Sequence, residues 1–374
     1  MSSDVNHSWI TLSSEALGKN VELIRERVGE DKMICACVKA NAYGHGLREI
    51  VHQLVAFGID WLSVFEVSDA VLLREQGIDV PILILSPVSE EQIGLCIKHE
   101  LRFLVVEESQ FEQISSAQDE LGLPAYVHIP VETGMGRLGF FPSQVEDVLV
   151  AAQQQGIVVE GLMQHYATGD EKDSEYFRTQ QMVFECLLDS LDQMGLTPEI
   201  IHAENSGASL IHPTISRSNL VRVGAALYGF EPSNEVTEIL ERNSQSLTPV
   251  LEWKSQLVSV KNLPPGMGVS YGATKVLEHE TRVGVVPVGY YDGYDRGLSN
   301  TGWMMVSGKR CPILGRVCMN MTMIDLSEVP EASIGDEVTI IGEGIRLEQM
   351  AELLDTIPYE ICTRIRESIH RKIV

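Results

Sequence analysis

Short apolar runs alternate with amphipathic segments over the first two thirds of the chain. From Lys32 to about Tyr228 the apolar runs are five to seven residues long, and the segments between them repeat their apolar residues every three to four positions. The runs predict buried parallel strands and the longer period predicts helices that cover them. Eight strands are expected, at residues 33–38, 61–65, 82–86, 102–106, 125–131, 159–164, 199–203 and 219–223.

The intervening amphipathic segments predict the helices. The clearest are residues 47–57, 68–76, 144–155 and 174–194, and most of them end close to a glycine. Eight strands with helices between them favour an α/β fold of the (β/α)8 TIM-barrel type, and a doubly wound open sheet is the alternative. In a barrel, the carboxyl ends of the strands and the loops that follow them would hold an active site.

The pattern changes at about Thr248. From there the chain shows short alternating strands at 251–258, 281–288, 303–306 and 337–341, separated by glycines and by the pair Pro264-Pro265. This pattern of short strands and turn residues predicts a mainly antiparallel β domain. We therefore expect a barrel over residues 1–245 and a β domain over residues 246–374, with residues 235–246 as the connector.

Composition narrows the classes of partner. The net charge of −25 disfavours binding to nucleic acid or to an anionic membrane surface. No apolar run approaches the ~20 residues of a membrane helix, and residues 1–8 lack the basic and apolar regions of a secretory leader. The seven cysteines have no metal-type spacing and are expected to be reduced core residues. A cytoplasmic location is predicted, with no metal site.

The strongest chemical signal is the segment VKANAYGHG, residues 38–46, in which Lys39 follows a buried strand. Desolvation lowers the pKa of an amine and raises its nucleophilic fraction at neutral pH, as Schiff-base chemistry requires. The alternative is a lysine at the end of a strand that simply reaches solvent. Taken alone, Lys39 does not decide between the two interpretations.

Other strand ends carry further polar groups. Arg137 lies in the turn GMGRLG, residues 134–139, where we reject a dinucleotide site because Pro142 follows and an arginine occupies the turn. His165 ends one predicted strand, Ser206 follows the next, and Arg222 lies in the last. A hydrolase triad of Ser206 and His165 is rejected because the chain lacks the strand-to-helix elbow motif GxSxG. The groups would converge if the barrel closes.

The second domain contributes tyrosines beside glycines. Tyr271 lies in VSYG, and a phenol can act as a general base if a nearby cation stabilises the phenolate. Most tyrosines in such positions cap a hydrophobic core instead. GRVCMN, which contains Met319, and PYE, which contains Tyr359, are weak signals alone.

Taken together, these segments resemble the alanine racemases, which are pyridoxal-phosphate enzymes with a barrel and a β domain. The resemblance runs over nearly the whole chain, and the motif VKANAYGHG is highly specific. The family order is kept by TGMGRLG, QHYATGDEKD, ENSGASL, VRVGAALYGF, VSYGATK, VGYYDGYDRGLSN and GRVCMN.

The resemblance implies an isomerase that interconverts L- and D-alanine by a two-base mechanism. Lys39 would bind pyridoxal 5'-phosphate as a Schiff base and act as the base on one face of the substrate. Tyr271 of a partner subunit would be the base on the other face, so a homodimer with composite active sites is implied. The other implied contacts are Arg222 at the pyridine nitrogen, His165 at the ring, Arg137 at the phenolic oxygen of the cofactor and at the substrate carboxylate, Met319 at that carboxylate, and Tyr43, Ser206, Gly224, Ala225 and Tyr359 at the phosphate.

Two positions depart from the family pattern. Many alanine racemases have a carbamylated lysine where this chain has Pro130. Glu132, which shares a strand face with Pro130, or a bound anion is expected to replace the carbamate beside Arg137. Asn320 stands where aspartate is frequent, which leaves the substrate entrance neutral. Racemisation of serine or of several small amino acids therefore stays open, as do a barrel decarboxylase and a non-catalytic pyridoxal-phosphate carrier.

Overall fold

The computed structural model describes residues 7–213 and 216–374. Residues 1–6, which carry most of the N-terminal segment interpreted above, lie outside the described residues. The chain forms two compact units. Of the described residues, one unit comprises residues 17–40, 50–213 and 216–248, and the other comprises residues 7–16, 41–49 and 249–374.

The unit of residues 17–40 and 50–248 is built on a closed barrel of eight parallel strands. After β1 (Ser8–Leu12), the barrel strands are β2 (Met33–Cys37), β3 (Trp61–Val64), β4 (Ile82–Pro87), β5 (Arg102–Leu104), β6 (Tyr126–Pro130), β7 (Val158–Met163), β8 (Ile200–His202) and β9 (Leu220–Val223). Strand β2 pairs with β9 as well as with β3, which closes the barrel. The predicted barrel is confirmed, and the open sheet is excluded.

Helices occupy the segments between the strands, as the sequence periodicity predicts. In chain order they are α1 (Ser14–Val28), α2 (Lys39–Tyr43), α3 (Leu47–Ala56), α4 (Val67–Glu75), α5 (Glu90–Lys98), α6 (Gln110–Leu121), α7 (Pro142–Gln154), α8 (Glu175–Met194), α9 (Ser206–Ile211) and α10 (Asn234–Arg242). The segment expected to be a connector is largely helix α10. No helix of the described residues has both the length and the apolar character needed to cross a membrane.

The barrel interior is packed with side chains. Seven of the strands each contribute one buried residue to a single cluster, which consists of Cys35, Trp61, Leu83, Leu104, Met163, Ile200 and Leu220. Strand β6 contributes His128, whose ring meets Trp61 edge-on at 5.7 Å between centroids. The imidazole of His128 thus packs against this apolar cluster. Its ring nitrogens are buried there and need hydrogen-bond partners.

The other unit is mainly antiparallel β structure, as predicted. Its strands after β1 are β10 (Leu251–Gln256), β11 (Ser259–Leu263), β12 (Gly268–Val269), β13 (Lys275–Val276), β14 (Thr281–Val286), β15 (Trp303–Val306), β16 (Lys309–Pro312), β17 (Thr322–Asp325), β18 (Glu337–Ile341) and β19 (His370–Ile373), and its helices include α11 (Leu347–Leu354) and α12 (Pro358–Thr363). The largest sheet has the order β16-β15-β18-β10-β1-β19. Strand β1 pairs antiparallel with β10 and parallel with β19, which the local sequence pattern did not reveal.

Candidate active site

Four charged or titratable side chains converge at the carboxyl ends of the barrel strands. Arg222 donates from Nη2 to Nδ1 of His165 at 3.0 Å. Burial is the largest cause that lowers the pKa of His165, and together with the positive charges of Arg222, Arg137 and Lys39, in that order, it brings the pKa to about 3. Because these charges act on one imidazole, the loops after β2, β6 and β7 and the strand β9 bring their polar groups to the same place.

Arg222 is buried, with 5% of its surface exposed. Its Nη2 group also donates to the carbonyl oxygens of Gln164 at 2.7 Å and Ala203 at 3.2 Å, and Nη1 donates to Nδ1 of His202 at 3.0 Å. Burial lowers the pKa of Arg222, but a guanidinium keeps its proton in proteins. Nε and one Nη1 hydrogen have no acceptor among the described residues, so donors remain for a further acceptor.

Ser206 connects the loops that follow β8 and β9. Its Oγ accepts hydrogen bonds from the main-chain N–H of Gly224 at 2.9 Å and of Ala226 at 3.4 Å. Asn205 caps the same helix start by accepting from the N–H of Ala208 at 3.0 Å. Since a hydroxyl oxygen has two acceptor positions and both are used, the hydroxyl hydrogen of Ser206 is left to donate to an anionic oxygen.

The segment that follows Lys39 is a single left-handed helical turn. Residues 40–43 all have φ between 52° and 54°, although none of them is glycine. A left-handed helix costs roughly 1–2 kcal/mol per residue for L-amino acids, so the surroundings must stabilise this turn. The sequence predicts a turn here, but its handedness was not predicted.

Long-range contacts stabilise the left-handed turn. Leu47 donates its N–H to Oδ1 of Asn41 at 2.7 Å, and Arg371 of β19 donates twice to the carbonyl oxygen of Gly44, at 2.8 Å and 3.0 Å. A Cβ on Gly44 would lie 2.0 Å from the carbonyl oxygen of Cys362, so only glycine fits. The turn is therefore held by residues more than three hundred positions away in the chain.

The loop that carries Arg137 is organised by one carboxylate. Glu132 accepts hydrogen bonds from the main-chain N–H of Gly134 at 2.5 Å and of Arg137 at 3.1 Å. Partial burial alone would raise the pKa of Glu132, but hydrogen bonds from the main-chain N–H groups of Gly136, Gly134, Arg137 and Met135 outweigh it and lower the pKa. The carboxylate of Glu132 thus accepts from the main-chain N–H groups that would have to bind the pyrophosphate of a dinucleotide.

Pro130 is the buried last residue of β6, and Glu132 follows it closely. The hypothesis that Glu132 replaces the carbamate concerns which part of Arg137 its carboxylate contacts. The carboxylate binds the main-chain N–H of Arg137, and no hydrogen bond joins it to the guanidinium among the described residues. Glu132 thus contacts Arg137 only through the main chain, and its replacement of the carbamate stays a prediction.

In the unit that contains β10–β19, Tyr43 and Tyr359 lie side by side. Their ring centroids are 6.4 Å apart, and the rings meet edge to face at 72°. Tyr359 is the second residue of α12, and Tyr43 is the last residue of the left-handed turn. The two predicted phosphate-binding tyrosines are thus brought together within this unit.

Tyr271 and Met319 lie on the surface of the same unit, with 72% and 54% of their surfaces exposed. The loop before Tyr271 is held firmly, because Ser270 donates from Oγ to the carbonyl oxygen of Arg316 at 2.6 Å. The carbonyl oxygen of Met319 accepts from the N–H of Tyr291 at 2.9 Å. The N–H of Met319 has no partner among the described residues and is available to a carboxylate.

Buried histidines make the stability of the protein sensitive to acid. Burial is the largest cause that lowers the pKa of four histidines, which are His45, His128, His165 and His202. The pKa falls to about 3 for His165 and to about 4 for His45. In the unfolded chain these groups titrate near pH ~6.5, so below that pH the unfolded state binds protons that the folded state does not. We expect the free energy of unfolding to fall between about pH 6.5 and about pH 4, by up to about 1.4 kcal/mol per pH unit for each histidine.

Urea unfolding at a series of pH values measures this effect, because uncharged urea keeps the ionic strength constant. Carboxylates with lowered pKa, such as Glu132 and Glu160, change stability in the same direction on acidification. A free energy of unfolding that stays constant from pH 7 to pH 5 would contradict the burial of these neutral imidazoles.

Comparison with known proteins assigns the family. The model for the N-terminal domain of alanine racemase matches residues 12–232, and the model for its C-terminal domain matches residues 250–373. The chain belongs to the alanine racemase family. An alanine racemase of Halothermothrix orenii is 38% identical over 98% of this chain and 96% of the relative. One of Desulforamulus reducens is 36% identical over 97% of this chain and 98% of the relative.

Solved structures of alanine racemases have the same fold. The alanine racemase of Clostridium difficile 630 superposes with a TM-score of 0.94 at 31% identity, covering 100% of this chain and 97% of the other. Members of this family use pyridoxal 5'-phosphate, and the donor set at the barrel mouth fits that group. Lys39 supplies an amine, Arg222 has unused donors, and Ser206 has a free hydroxyl hydrogen beside the N–H groups of the following loop.

Sequence reasoning missed several residues that support this site. His202 and Gln164 bind Arg222, and Gln164 also donates from Nε2 to Oγ1 of Thr133 at 2.9 Å. Helix α8 assists, because Gln180 donates to the carbonyl oxygen of His165 at 3.1 Å. The sequence feature that could have identified these residues is a polar side chain within, or directly after, an otherwise apolar strand.

Proposed function

We propose that the cluster at the barrel mouth is the catalytic centre of an amino-acid racemase. The protein is an isomerase that interconverts L- and D-alanine with pyridoxal 5'-phosphate. The observation that carries the assignment of the site is the convergence of Lys39, Arg137 and Arg222 on the imidazole of His165. Polar groups from four strand ends at one barrel mouth form the arrangement in which barrel enzymes perform catalysis.

The residues on the barrel would hold the cofactor in distinct ways. Lys39 would hold it covalently through its amine, and Arg222 would donate to the pyridine nitrogen. His165, which is neutral, accepts at Nδ1 from Arg222 and therefore carries its proton on Nε2. The groups assigned to the phosphate are the side chains of Tyr43, Ser206 and Tyr359, the main-chain N–H of Ala225, and Gly224, whose own N–H donates to Oγ of Ser206 and holds that hydroxyl in place.

When bound, pyridoxal phosphate supplies an electron sink that spreads the negative charge left on the substrate α-carbon after its proton departs. Lys39 would take or return the proton on one face through its Nζ. Tyr271 would do the same on the other face through its phenolic oxygen. Transfer from one base and return by the other inverts the configuration of the α-carbon, and two bases on opposite faces are therefore required.

Arg222 limits the strength of the electron sink. A guanidinium has only donors, so the pyridine nitrogen that it contacts would act as an acceptor and stay unprotonated. By leaving that nitrogen unprotonated, Arg222 would favour prompt return of the proton to the α-carbon. This favours racemisation over transfer of the amino group.

Arg137 and Met319 are the residues that we assign to the substrate carboxylate. Arg137 offers a charged, exposed fork of donors, and Met319 offers a main-chain N–H. Asn320, next to Met319, is exposed and neutral. Chemistry at the α-carbon requires that the carboxylate be fixed, because its position sets which face each base addresses.

The assembly and organisation that we propose follow from Tyr271. A well-held tyrosine with 72% of its surface exposed suits a residue that completes the site of a second copy. We therefore propose a homodimer with composite sites, in which the β domain of residues 246–374 reaches the barrel of residues 1–245 of the partner. A cytoplasmic location is proposed from the seven unpaired cysteine thiols.

The activity is tested by incubating the purified holoenzyme with L-alanine, and in parallel with L-serine, in deuterium oxide. We expect loss of optical rotation together with deuterium incorporation at the α-carbon of alanine, and much slower change with serine. The extra hydroxyl of serine is a small difference, so discrimination of about 10–200-fold is the expected range.

Other outcomes would redirect the assignment. Equal or faster racemisation of serine would identify a broader racemase despite the family membership. Release of carbon dioxide would indicate a decarboxylase. Binding of pyridoxal phosphate without exchange on either amino acid would indicate a carrier.

A further inference from the structure

A buried row of hydrogen-bonded side chains crosses the interior of the barrel beneath Arg222. Arg222 Nη1 donates to Nδ1 of His202 at 3.0 Å, and Nε2 of His202 lies 2.8 Å from Nδ1 of His128. Nε2 of His128 lies 3.3 Å from Oε2 of Glu160. Arg102 then binds both oxygens of Glu160, at 3.0 Å and 3.1 Å. The row joins strands β9, β8, β6, β7 and β5.

The two ends of the row fix the direction of every hydrogen bond in it. A guanidinium can only donate, so Nδ1 of His202 must accept, and neutral His202 must carry its proton on Nε2. That proton is donated to Nδ1 of His128, whose own proton is then on Nε2 and is donated to Glu160. An ionised carboxylate can only accept, so the requirement at the far end agrees with the requirement at Arg222.

The row requires both imidazoles to be neutral. A protonated histidine donates from both nitrogens, and a second proton on His128 would face the N–H of His202. Both rings have no exposed surface. Burial is the main cause that lowers the pKa of each, and the positive charge of Arg222 lowers the pKa of His202 further. Glycine at position 161 leaves space for the ring of His128, because a Cβ there would lie 2.5 Å from Nδ1 of His128.

Glu160 is the carboxylate that ends the hydrogen-bonded row beginning at Arg222, whereas the buried carboxylate of Glu204 acts on Arg222 only through space. Arg222 itself bonds carbonyl oxygens and imidazoles, which leave its buried charge without a direct ionic partner among the described residues. A chain of hydrogen bonds that all point the same way polarises each member, and the effect is stronger in a low-dielectric interior. Hydrogen bonds from His128 and Arg102 outweigh burial and hold the pKa of Glu160 low, which keeps this acceptor ionised.

We propose that His202, His128 and Glu160 are positioning residues that stabilise and orient the guanidinium of Arg222 from the opposite end of the barrel. They leave the Nε donor of Arg222 free for the pyridine nitrogen, whereas a carboxylate in direct contact would compete for it. This inference rests on the proposed role of Arg222 in binding the cofactor. The histidine pair is not a metal site, because no three potential ligands of the described residues are arranged to hold a metal ion.

The first test observes the hydrogen-bond direction in the holoenzyme. Nitrogen-15 NMR of histidine-labelled protein separates protonated from unprotonated ring nitrogens. We expect His128 and His202 to have Nδ1 unprotonated and Nε2 protonated, with no titration between about pH 5 and about pH 8. A proton on Nδ1 of either ring, or titration of either within that range, would overturn the proposal whether or not the protein racemises alanine.

The second test separates positioning from ordinary structural support. Glu160→Gln should shift the nitrogen-15 resonances of His202, change the absorption spectrum of the bound cofactor, and lower kcat about tenfold with less than a twofold change in KM. Arg102→Gln breaks the ion pair but leaves the hydrogen bond that His128 donates to Glu160, so its effect on each readout should be clearly smaller. Glu238→Gln breaks an exposed ion pair with Arg242 and is the matched control.

Equal losses in Glu160→Gln and Arg102→Gln, with the His202 resonances unmoved, would assign Glu160 to structural support and overturn the inference. If alanine is not racemised at all, the proposed function fails instead, and the resonances still report on the row itself.

Discussion

Lys39→Ala is expected to lower alanine racemisation by about a thousandfold or more. The amine of Lys39 has two proposed tasks, because it holds the cofactor covalently and serves one face of the substrate. Removal of the side chain abolishes both tasks at once. Residual cofactor would be held only by the non-covalent contacts of Arg222, Ser206 and the main-chain N–H groups.

The measurement combines activity with covalent labelling. Borohydride reduction of the holoenzyme, followed by peptide mapping, should attach the cofactor to the peptide that contains Lys39 and to no peptide of the variant. Lys98→Ala is the control, since Lys98 is exposed at the end of α5 on the outside of the barrel. Full activity and unchanged colour in Lys39→Ala would refute the proposed chemistry altogether.

The barrel could be predicted because its determinants are local. Each strand is a short apolar run and each helix has its own period, so eight β/α units could be counted without knowledge of tertiary contacts. Placement of Lys39, Arg137, His165 and Arg222 near each other then followed from geometry, since the carboxyl ends of parallel barrel strands share one face. The structure shows this convergence in the charges that act on His165.

The left-handed turn after Lys39 could not be predicted, because its stability is not local. No residue in positions 40–43 favours a positive φ strongly enough to specify it, and the contacts that hold it come from Arg371 and the close approach of Cys362 to Gly44. The pairing of β1 with β19 is unpredictable for the same reason. Both features depend on contacts between the two ends of the chain.

The row of buried histidines inside the barrel could be predicted only in part from the sequence. His128 and His202 stand in the strands YVHIP and IIH, and a polar side chain in a fully buried strand needs a buried partner. The sequence therefore signals an interior polar contact, but the identity of the partners depends on how adjacent strands align in the closed barrel. Glu160, on β7 beside β6, becomes the partner only because of that alignment.

Tyr271→Phe is expected to lower alanine racemisation by about a thousandfold, while binding of the cofactor is kept. The phenolic oxygen is the proposed base for one face, and phenylalanine preserves the ring but has no proton to transfer. Lys39 still serves the other face, so one enantiomer of alanine should continue to exchange its α-proton in deuterium oxide without inversion. Tyr291→Phe, on the same unit and 54% exposed, is the control.

A mixed dimer tests whether Tyr271 acts in the site of the partner. Lys39→Ala and Tyr271→Phe chains with different affinity tags are co-expressed, and dimers that carry both tags are purified. If each site takes Lys39 from one chain and Tyr271 from the other, one of the two sites contains both native residues, and activity should return to about half of the wild-type value. If both residues act from the same chain, neither site is intact and the mixed dimer stays as inactive as its parents. Restored activity would therefore require a shared site, because neither chain alone carries the two bases that inversion of the α-carbon needs.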